Sequence, residues 1–179
     1  TDRLGRDMFA RVLNGGQTSL IIGFLAASIS SIVGLFIGIN AGYFKGNIDK
    51  TITIMIDLFL TFPTFFLLLA LVSYIQASAL ILIIVISITS WMGMARMIRS
   101  ESFAIGNKPF IKILKVANVS TFKIIFKYFA PLLAPIFLIS FTFGVGGSIL
   151  AESGLSFLGL VINPPSMSWG RLLSDGKAV

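Results

Sequence analysis

The chain of 179 residues contains no cysteine and no histidine. This absence excludes disulfide frameworks, thiol nucleophiles, histidine-based metal sites and imidazole general bases, and with them most hydrolases. The sequence also lacks a Walker A phosphate loop, because the nearest approach, from Gly170 to Ala178, has one residue too many and no hydroxyl after its lysine. We therefore expect no enzymatic activity, no metal site and no cofactor bound by this chain.

Charged residues are scarce as well, at 12% of the chain, whereas hydrophobic residues make up 56%. The mean hydropathy of +0.97 lies far above that of soluble globular domains. The sequence therefore predicts an all-α membrane protein, a polytopic helical bundle. A net charge of +7 would suggest nucleic-acid binding in a soluble protein, but here the cations flank apolar stretches. We expect them to mark cytoplasmic loops and not to bind nucleic acid.

Four apolar stretches are long enough to cross about 30 Å of hydrocarbon. We place these spans at residues 18–42, 51–75, 79–95 and 130–150, with Trp91 at a membrane interface. A separate short interfacial helix is predicted at residues 7–13, ended by Gly15 and Gly16. Residues 151–170 are too broken by glycine and proline to span the membrane and too apolar for a free loop. We predict a re-entrant or interfacial segment there.

The segment from Arg96 to Pro131 is the one long stretch that does not resemble a membrane span. It holds seven of the fourteen basic residues and one acid, Glu101. Its apolar residues recur at helical spacing, which predicts two short amphipathic helices hinged near residues 118–121. A segment of this kind between spans lies at the cytoplasmic surface, either on lipid headgroups or against a partner protein.

Lysines and arginines also set the orientation of the spans. The turn at residues 43–50 adds two lysines, and an even number of crossings separates it from the basic segment. We therefore place both inside the cell. The start of the chain, the uncharged turn at residues 74–78 and the part after residue 150 are then expected outside.

A few residues in or beside the spans are candidates for the transport pathway or its gating: Asp57, Pro63 and Glu152. Asp57 is either solvated at the level of the headgroups or faces the bundle interior beside a kink at Pro63, and the sequence leaves both interpretations open. In the first span, small residues recur at every fourth position and predict close helix packing, which we expect to be ordinary packing within a bundle; they include Gly34, Gly38 and Gly42.

Five stretches, in order along the chain, resemble the permease subunit of the dipeptide, oligopeptide and nickel family of ATP-binding cassette (ABC) importers, specifically its second permease type. They are TDRLGRDMFARVLNGGQTSL, AGYFKGNIDK, MIDLFLTFPTFFL, WMGMARMIRS and SILAESGLSFLGLVINPPSMSWGRLLSDG. The resemblance covers almost the whole chain. It implies a type I transmembrane domain in the cytoplasmic membrane, formed by residues 1–179 and belonging to a longer protein.

This resemblance also implies a transport function and a set of partners. The chain would form part of the translocation pathway for peptides, or alternatively for nickel or a chelated metal. Its partners would be a homologous second permease, two ATP-binding subunits, an extracytoplasmic substrate-binding protein and membrane lipid. ATP and magnesium would be held by the ATP-binding subunits.

In this family, the basic segment at residues 96–131 would be the cytoplasmic coupling loop that contacts the ATPase. The family pattern E-A-A is replaced here by Lys112-Ile113-Leu114, and its following glycine is replaced by Asn118. Residues from both amphipathic helices and from the hinge are predicted to dock on the ATPase: Phe110, Ile111, Leu114, Lys115, Asn118, Ser120 and Phe122.

Two other classes of function remain open from the sequence. A membrane scaffold protein could use the basic segment to bind anionic lipid, and the departures from the family pattern favour this alternative. A stand-alone carrier would need a substrate site within the membrane, for which Asp57 and Pro63 are the candidates.

Overall fold

The computed structural model describes residues 5–73, 78–158 and 167–177. Within these ranges the regular structure is helical and contains no β-strand, which confirms the all-α prediction. Three helical stretches in the described residues are long and apolar enough to cross a membrane. A fourth span results if two shorter helices, bent at the break between them, are counted together. The prediction of about four spans is therefore confirmed.

We number the helices along the chain. Their bounds are α1 Met8–Phe44, α2 Gly46–Thr61, α3 Thr64–Ser73, α4 Ala79–Gly106, α5 Pro109–Val116, α6 Thr121–Ile124, α7 Ala130–Phe157 and α8 Trp169–Lys177. A π-helical turn, Ile125–Phe129, joins α6 to α7, so that Thr121–Phe157 is one continuous helical stretch.

The helix α1 begins before the predicted first span and does not break at Gly15 and Gly16. The prediction of a separate interfacial helix was therefore wrong. A Cβ atom on Gly16 would lie 3.0 Å from the Trp169 ring, and one on Gly15 would lie 3.2 Å from the backbone of Ser168. A glycine inside a helix lowers helix stability by about 1 kcal/mol relative to alanine. Close packing against Ser168 and Trp169 explains why glycine nevertheless occupies both positions.

Two further helices continue beyond the predicted ends of their spans. The helix α4 extends past residue 95 to Gly106, because Ile98 and Ile105 in its last turns are fully buried in the core. The helix α7 extends past residue 150 to Phe157, where Leu155 is fully buried. Residues 151–157 therefore form no re-entrant segment, whereas the interfacial alternative stays a prediction; residues 159–166 lie outside the described part of the chain.

The predicted second span is interrupted at Pro63, between α2 and α3. Phe62 has an extended backbone (φ −85°, ψ 131°), as expected for a residue that precedes proline. The predicted kink is therefore confirmed. Trp91 is buried within the chain beside Ile56 and Ala95, and its position at a membrane interface stays a prediction. The predicted turn at residues 74–78 falls, except for Ser78, outside the described residues.

Contacts between residues divide the chain into two compact units. The first contains residues 1–29, 63–89 and 143–179, and the second contains residues 30–62 and 90–142. The core of the first unit is formed by Ile22, Ala26, Leu68, Val72, Leu82, Val85, Ile86 and Leu155. The second unit has a core formed by Ile39, Tyr43, Met94, Ile98, Ile105, Ile111, Ile124, Phe129 and Leu133.

Candidate functional site

The helix α5 has one face in the core of the second unit and the opposite face exposed. Ile111 is fully buried, and Leu114 packs against the same cluster. On the opposite face, Ile113 is 67% exposed and Val116 is 85% exposed. Lys112 lies on this outward face as well. An exposed apolar surface flanked by a cation is typical of a surface that binds a partner.

The inner side of α5 is held against the end of α1 by Tyr43. The Nζ atom of Lys115 lies 4.2 Å from the centre of the Tyr43 ring, which is a cation–π contact. The Tyr43 hydroxyl donates a 3.3 Å hydrogen bond to the Thr121 hydroxyl, and its ring meets Phe129 edge-on. One residue of α1 therefore contacts both sides of the hinge between α5 and α6.

Asn118 forms the hinge itself. Its φ of 53° is in the left-handed region, which asparagine tolerates better than most residues. The amide of Asn118 donates to the Lys115 carbonyl at 3.1 Å, and that of Val119 donates to the Leu114 carbonyl at 3.1 Å. These two bonds satisfy the last carbonyls of α5 and end the helix.

The predicted docking residues fall on different sides of this segment. Lys115, Asn118, Ser120 and Phe122 are exposed, and Phe110 is partly exposed. Ile111 instead fills the core of the chain, and Leu114 lies on the same inner face, so neither belongs to an exposed docking surface in this conformation. The outward residues Lys112, Ile113 and Val116 were not among the predicted docking residues, although the i, i+3 spacing of Ile113 and Val116 is visible in the sequence.

The outer surface of the segment is strongly basic. Lys108, Lys112 and Lys123 are exposed, and no carboxylate in the described part of the chain pairs with them. Exposed aromatic side chains accompany the cations, and the rings of Phe122 and Phe126 lie 4.3 Å apart. The segment therefore presents cations and apolar groups together.

Asp57 is paired with Arg96, a partner that the sequence did not identify. The Arg96 guanidinium donates to Asp57 Oδ1 at 2.5 Å, and each side chain is 56% exposed. Pro63 lies at the break between α2 and α3. Glu152 is fully buried and accepts hydrogen bonds from the hydroxyls of Ser19 and Ser156 at 2.9 and 2.8 Å.

The three glycines at every fourth position of α1 lie directly against α4. A Cβ atom on Gly34 would be 2.7 Å from Met94 Cβ, one on Gly38 would be 2.7 Å from the Ala95 carbonyl, and one on Gly42 would be 2.5 Å from Ser102 Cβ. The two backbones therefore approach as closely as small-residue packing allows. Among the described residues, no group of three or more metal-binding side chains occurs.

A family model described as "Binding-protein-dependent transport system inner membrane component" matches residues 30–178. The chain belongs to this family. The oligopeptide transport system permease proteins OppC of Mycobacterium bovis and Mycobacterium tuberculosis are each 37% identical to it over 180 residues, which cover 99% of this chain and 62% of the relative. OppC of Haemophilus influenzae is 35% identical over 178 residues, covering 99% of this chain and 57% of the relative. The chain thus spans less than two thirds of the length of these relatives.

Among solved structures, a chain of the MetNI methionine ABC transporter in an inward facing conformation is similar to this fold. The TM-score is 0.77 at 14% sequence identity, and the match covers 92% of this chain and 79% of that chain. At this identity the similarity concerns the fold alone, and it confirms the predicted fold class. The family and the apolar helices together identify a multi-pass component of the cytoplasmic membrane.

Proposed function

We propose that this permease subunit forms part of the translocation pathway of a peptide importer. The similarity to oligopeptide permeases over 99% of the chain supports peptides as the substrate class. It favours peptides over nickel or a chelated metal, the alternative that the family also includes. Family membership likewise favours a transport subunit over a scaffold protein or a stand-alone carrier.

The partners of this subunit follow from the same assignment. A homologous second permease completes the pathway, and an extracytoplasmic binding protein delivers the peptide. Two ATP-binding subunits hold ATP and magnesium and carry out the hydrolysis, so this chain needs no cofactor and no catalytic residue of its own. Membrane lipid surrounds the apolar helices.

The outward face of α5 is the proposed docking site for the ATPase. The observation that carries this assignment is the division of α5 into a buried face with Ile111 and an exposed face with Ile113 and Val116. Because the inner face is packed in the core of its unit, force applied to the outer face moves α5 together with that unit. Phe110, Asn118, Ser120 and Phe122 border this face, and Lys115 holds it to Tyr43.

The exposed pair of Asp57 and Arg96 is the best candidate for a pathway residue. A charged pair on a membrane helix is too costly to leave in lipid, so it faces water or a partner subunit. Pro63, at the break between α2 and α3, is the candidate for gating. Replacement of Asp57 by Asn should change transport more than it changes ATPase docking.

The proposed function is tested by ATP hydrolysis in the full-length protein reconstituted with its partner permease, ATP-binding subunits and binding protein. Hydrolysis that increases on addition of a peptide mixture supports the proposal. If the complex assembles but responds only to a chelated metal, the peptide assignment is wrong. If no ATP-binding subunit associates, the coupling assignment is wrong.

Docking is tested by the two faces of α5. Val116→Asp should abolish copurification of the ATP-binding subunit while the permease itself remains folded, and Val116→Ala is the control that keeps the face apolar. Ile111→Asp should instead reduce the amount of folded permease, because it places a charge in the core. Copurification that persists with Val116→Asp would contradict the docking assignment.

A further inference from the structure

A buried carboxylate outside the proposed docking site requires an explanation. Glu152 in α7 has no exposed surface, and within the described residues no basic side chain pairs with it. Its close hydrogen-bond donors are the Ser19 hydroxyl of α1 and the Ser156 hydroxyl of α7, and Ser153 lies at 3.5 Å. Burying a charge is costly unless hydrogen bonds compensate it, so this arrangement is a specific one.

The Ser19 hydroxyl connects Glu152 to the start of α8. It donates its proton to Glu152 Oε2 and accepts a 3.0 Å hydrogen bond from the backbone amide of Trp169. A hydroxyl has a single proton, and the carboxylate accepts it, which fixes the orientation of the Ser19 hydroxyl. A lone pair of the hydroxyl oxygen then points to the first backbone amide of α8. The positive end of the α8 dipole is therefore one hydroxyl away from the buried charge.

Close backbone packing surrounds this connection. A Cβ atom on Gly170 would lie 2.5 Å from Ser156 Cβ, so α8 lies directly on α7. The Trp169 indole donates to the Val12 carbonyl of α1 at 3.0 Å. Near the other end of α8, the Arg11 guanidinium and the Asp175 carboxylate form an ion pair at 2.6 Å. We call these contacts of α8 with α1 and α7 the clasp.

We infer that Glu152 is a positioning residue that acts through Ser19 to hold α8 against α1 and α7, and that transport requires this clasp to stay closed. The helix α8 has nine residues, too few to be stable without packing contacts. Removal of the carboxylate would leave the Ser19 and Ser156 hydroxyls buried without their acceptor. The positions of Ser19 and Trp169 would then no longer be fixed relative to each other.

The role in transport rests on the proposed function. The distribution of cations predicts that α8 and the adjoining ends of α1 and α7 lie on the outer side, where the binding protein would deliver its substrate. A clasp that opens there should weaken the response of the ATPase to the loaded binding protein. It should leave basal ATP hydrolysis intact, because the docking face of α5 is unchanged.

The first test measures the clasp without reference to transport. Because residues 1–179 contain no cysteine, Phe9→Cys and Leu173→Cys give a pair of exposed labelling sites on α1 and α8 once any cysteine elsewhere in the complex has been replaced. Spin-label distances in the full-length complex should be narrowly distributed for the parent chain and for Glu152→Gln, whose amide oxygen can still accept from Ser19. They should be clearly broader for Glu152→Ala. An unchanged distribution in Glu152→Ala would overturn the inference.

Two serine variants provide the same test of the clasp if Glu152→Ala does not fold. Ser156→Ala removes a 2.8 Å donor and should broaden the distribution, whereas Ser153→Ala removes only the 3.5 Å contact and should not. Equal distributions in the two serine variants would overturn the assignment.

The second readout compares basal ATP hydrolysis with hydrolysis stimulated by the loaded binding protein. Glu152→Ala should reduce the stimulation of ATP hydrolysis by the loaded binding protein about fivefold, which corresponds to a free-energy change of about 1 kcal/mol. Glu152→Gln should show the stimulation of the parent complex. Equal loss of basal and stimulated activity would contradict the positioning role. If the parent complex shows no stimulation at all, the proposed function fails, whereas the distance measurement still decides the role of Glu152.

Discussion

Arg99 and Asp49 form a two-point ion pair that joins α4 to α2. Nη2 of the Arg99 guanidinium donates to Asp49 Oδ2 at 2.8 Å, and Nε of the same group donates to Asp49 Oδ1. The Arg99 side chain is 29% exposed and that of Asp49 is 13% exposed. The same two helices carry the much more exposed pair of Arg96 and Asp57. One helix pair therefore offers a partly buried and an exposed ion pair for direct comparison.

The partly buried pair should contribute more to stability than the exposed pair. We expect Asp49→Asn to lower the free energy of unfolding by about 2 kcal/mol, because a partly buried guanidinium loses its counterion. Asp57→Asn should change it by less than about 1 kcal/mol, because water screens this pair. Thermal unfolding in detergent measures both. Equal destabilisation by the two variants would contradict this ranking.

Gly38 should not tolerate any side chain. An alanine Cβ at this position would lie 2.7 Å from the Ala95 carbonyl and 2.8 Å from Ile98 Cβ, so the two helices would have to separate. We expect Gly38→Ala to lower the free energy of unfolding by about 1–3 kcal/mol, as overpacking does. Gly93→Ala in α4 is the control, because a Cβ there meets no atom within 4 Å. A thermal shift of the same size in both variants would refute close packing at Gly38.

The sequence predicted the basic segment and its hinge but not the orientation of α5. The helix has two apolar stripes, one with Ile111 and Leu114 and the other with Ile113 and Val116. Periodicity alone cannot tell which stripe is buried. The choice depends on residues from other parts of the chain, such as Ile105, Ile124 and Phe129, which form one buried cluster with Ile111. Tertiary contacts therefore decide which face of α5 is buried, and the docking role of the other face stays a prediction.

The same limit explains the environment of Glu152. One of the two hydroxyls that donate hydrogen bonds to its carboxylate belongs to Ser19, which is 133 positions away along the chain. The Ser19 hydroxyl also accepts a hydrogen bond from the first residue of α8. A single sequence contains no signal for contacts at such separation. The kink at Pro63 and the close packing of Gly38 were predictable, in contrast, because proline geometry and small-residue spacing are local properties.

Asn118 should be replaceable by glycine but not by a β-branched residue. Its φ of 53° costs L-residues about 1–2 kcal/mol, and Val would add a clash of its branched side chain. We expect Asn118→Gly to retain copurification of the ATP-binding subunit, and Asn118→Val to reduce it together with thermal stability. Retained copurification with Asn118→Val would show that docking does not require the hinge between α5 and α6.

Lys112 occupies the outward face of α5, at the position where the family pattern has an acid. Three exposed lysines of this segment, Lys108, Lys112 and Lys123, have no carboxylate partner among the described residues, so an ATPase surface that binds them should be acidic. We expect Lys112→Glu to weaken copurification of the ATP-binding subunit by about tenfold, corresponding to about 1.4 kcal/mol, and Lys112→Arg to retain it. Binding of the parent chain should also fall as salt is raised. Lys50→Glu, at an exposed position of α2, is the matched control for net charge. If Lys112→Glu and Lys50→Glu behave alike, the charge at position 112 does not contribute to docking, and contact through Ile113 and Val116 alone would account for it.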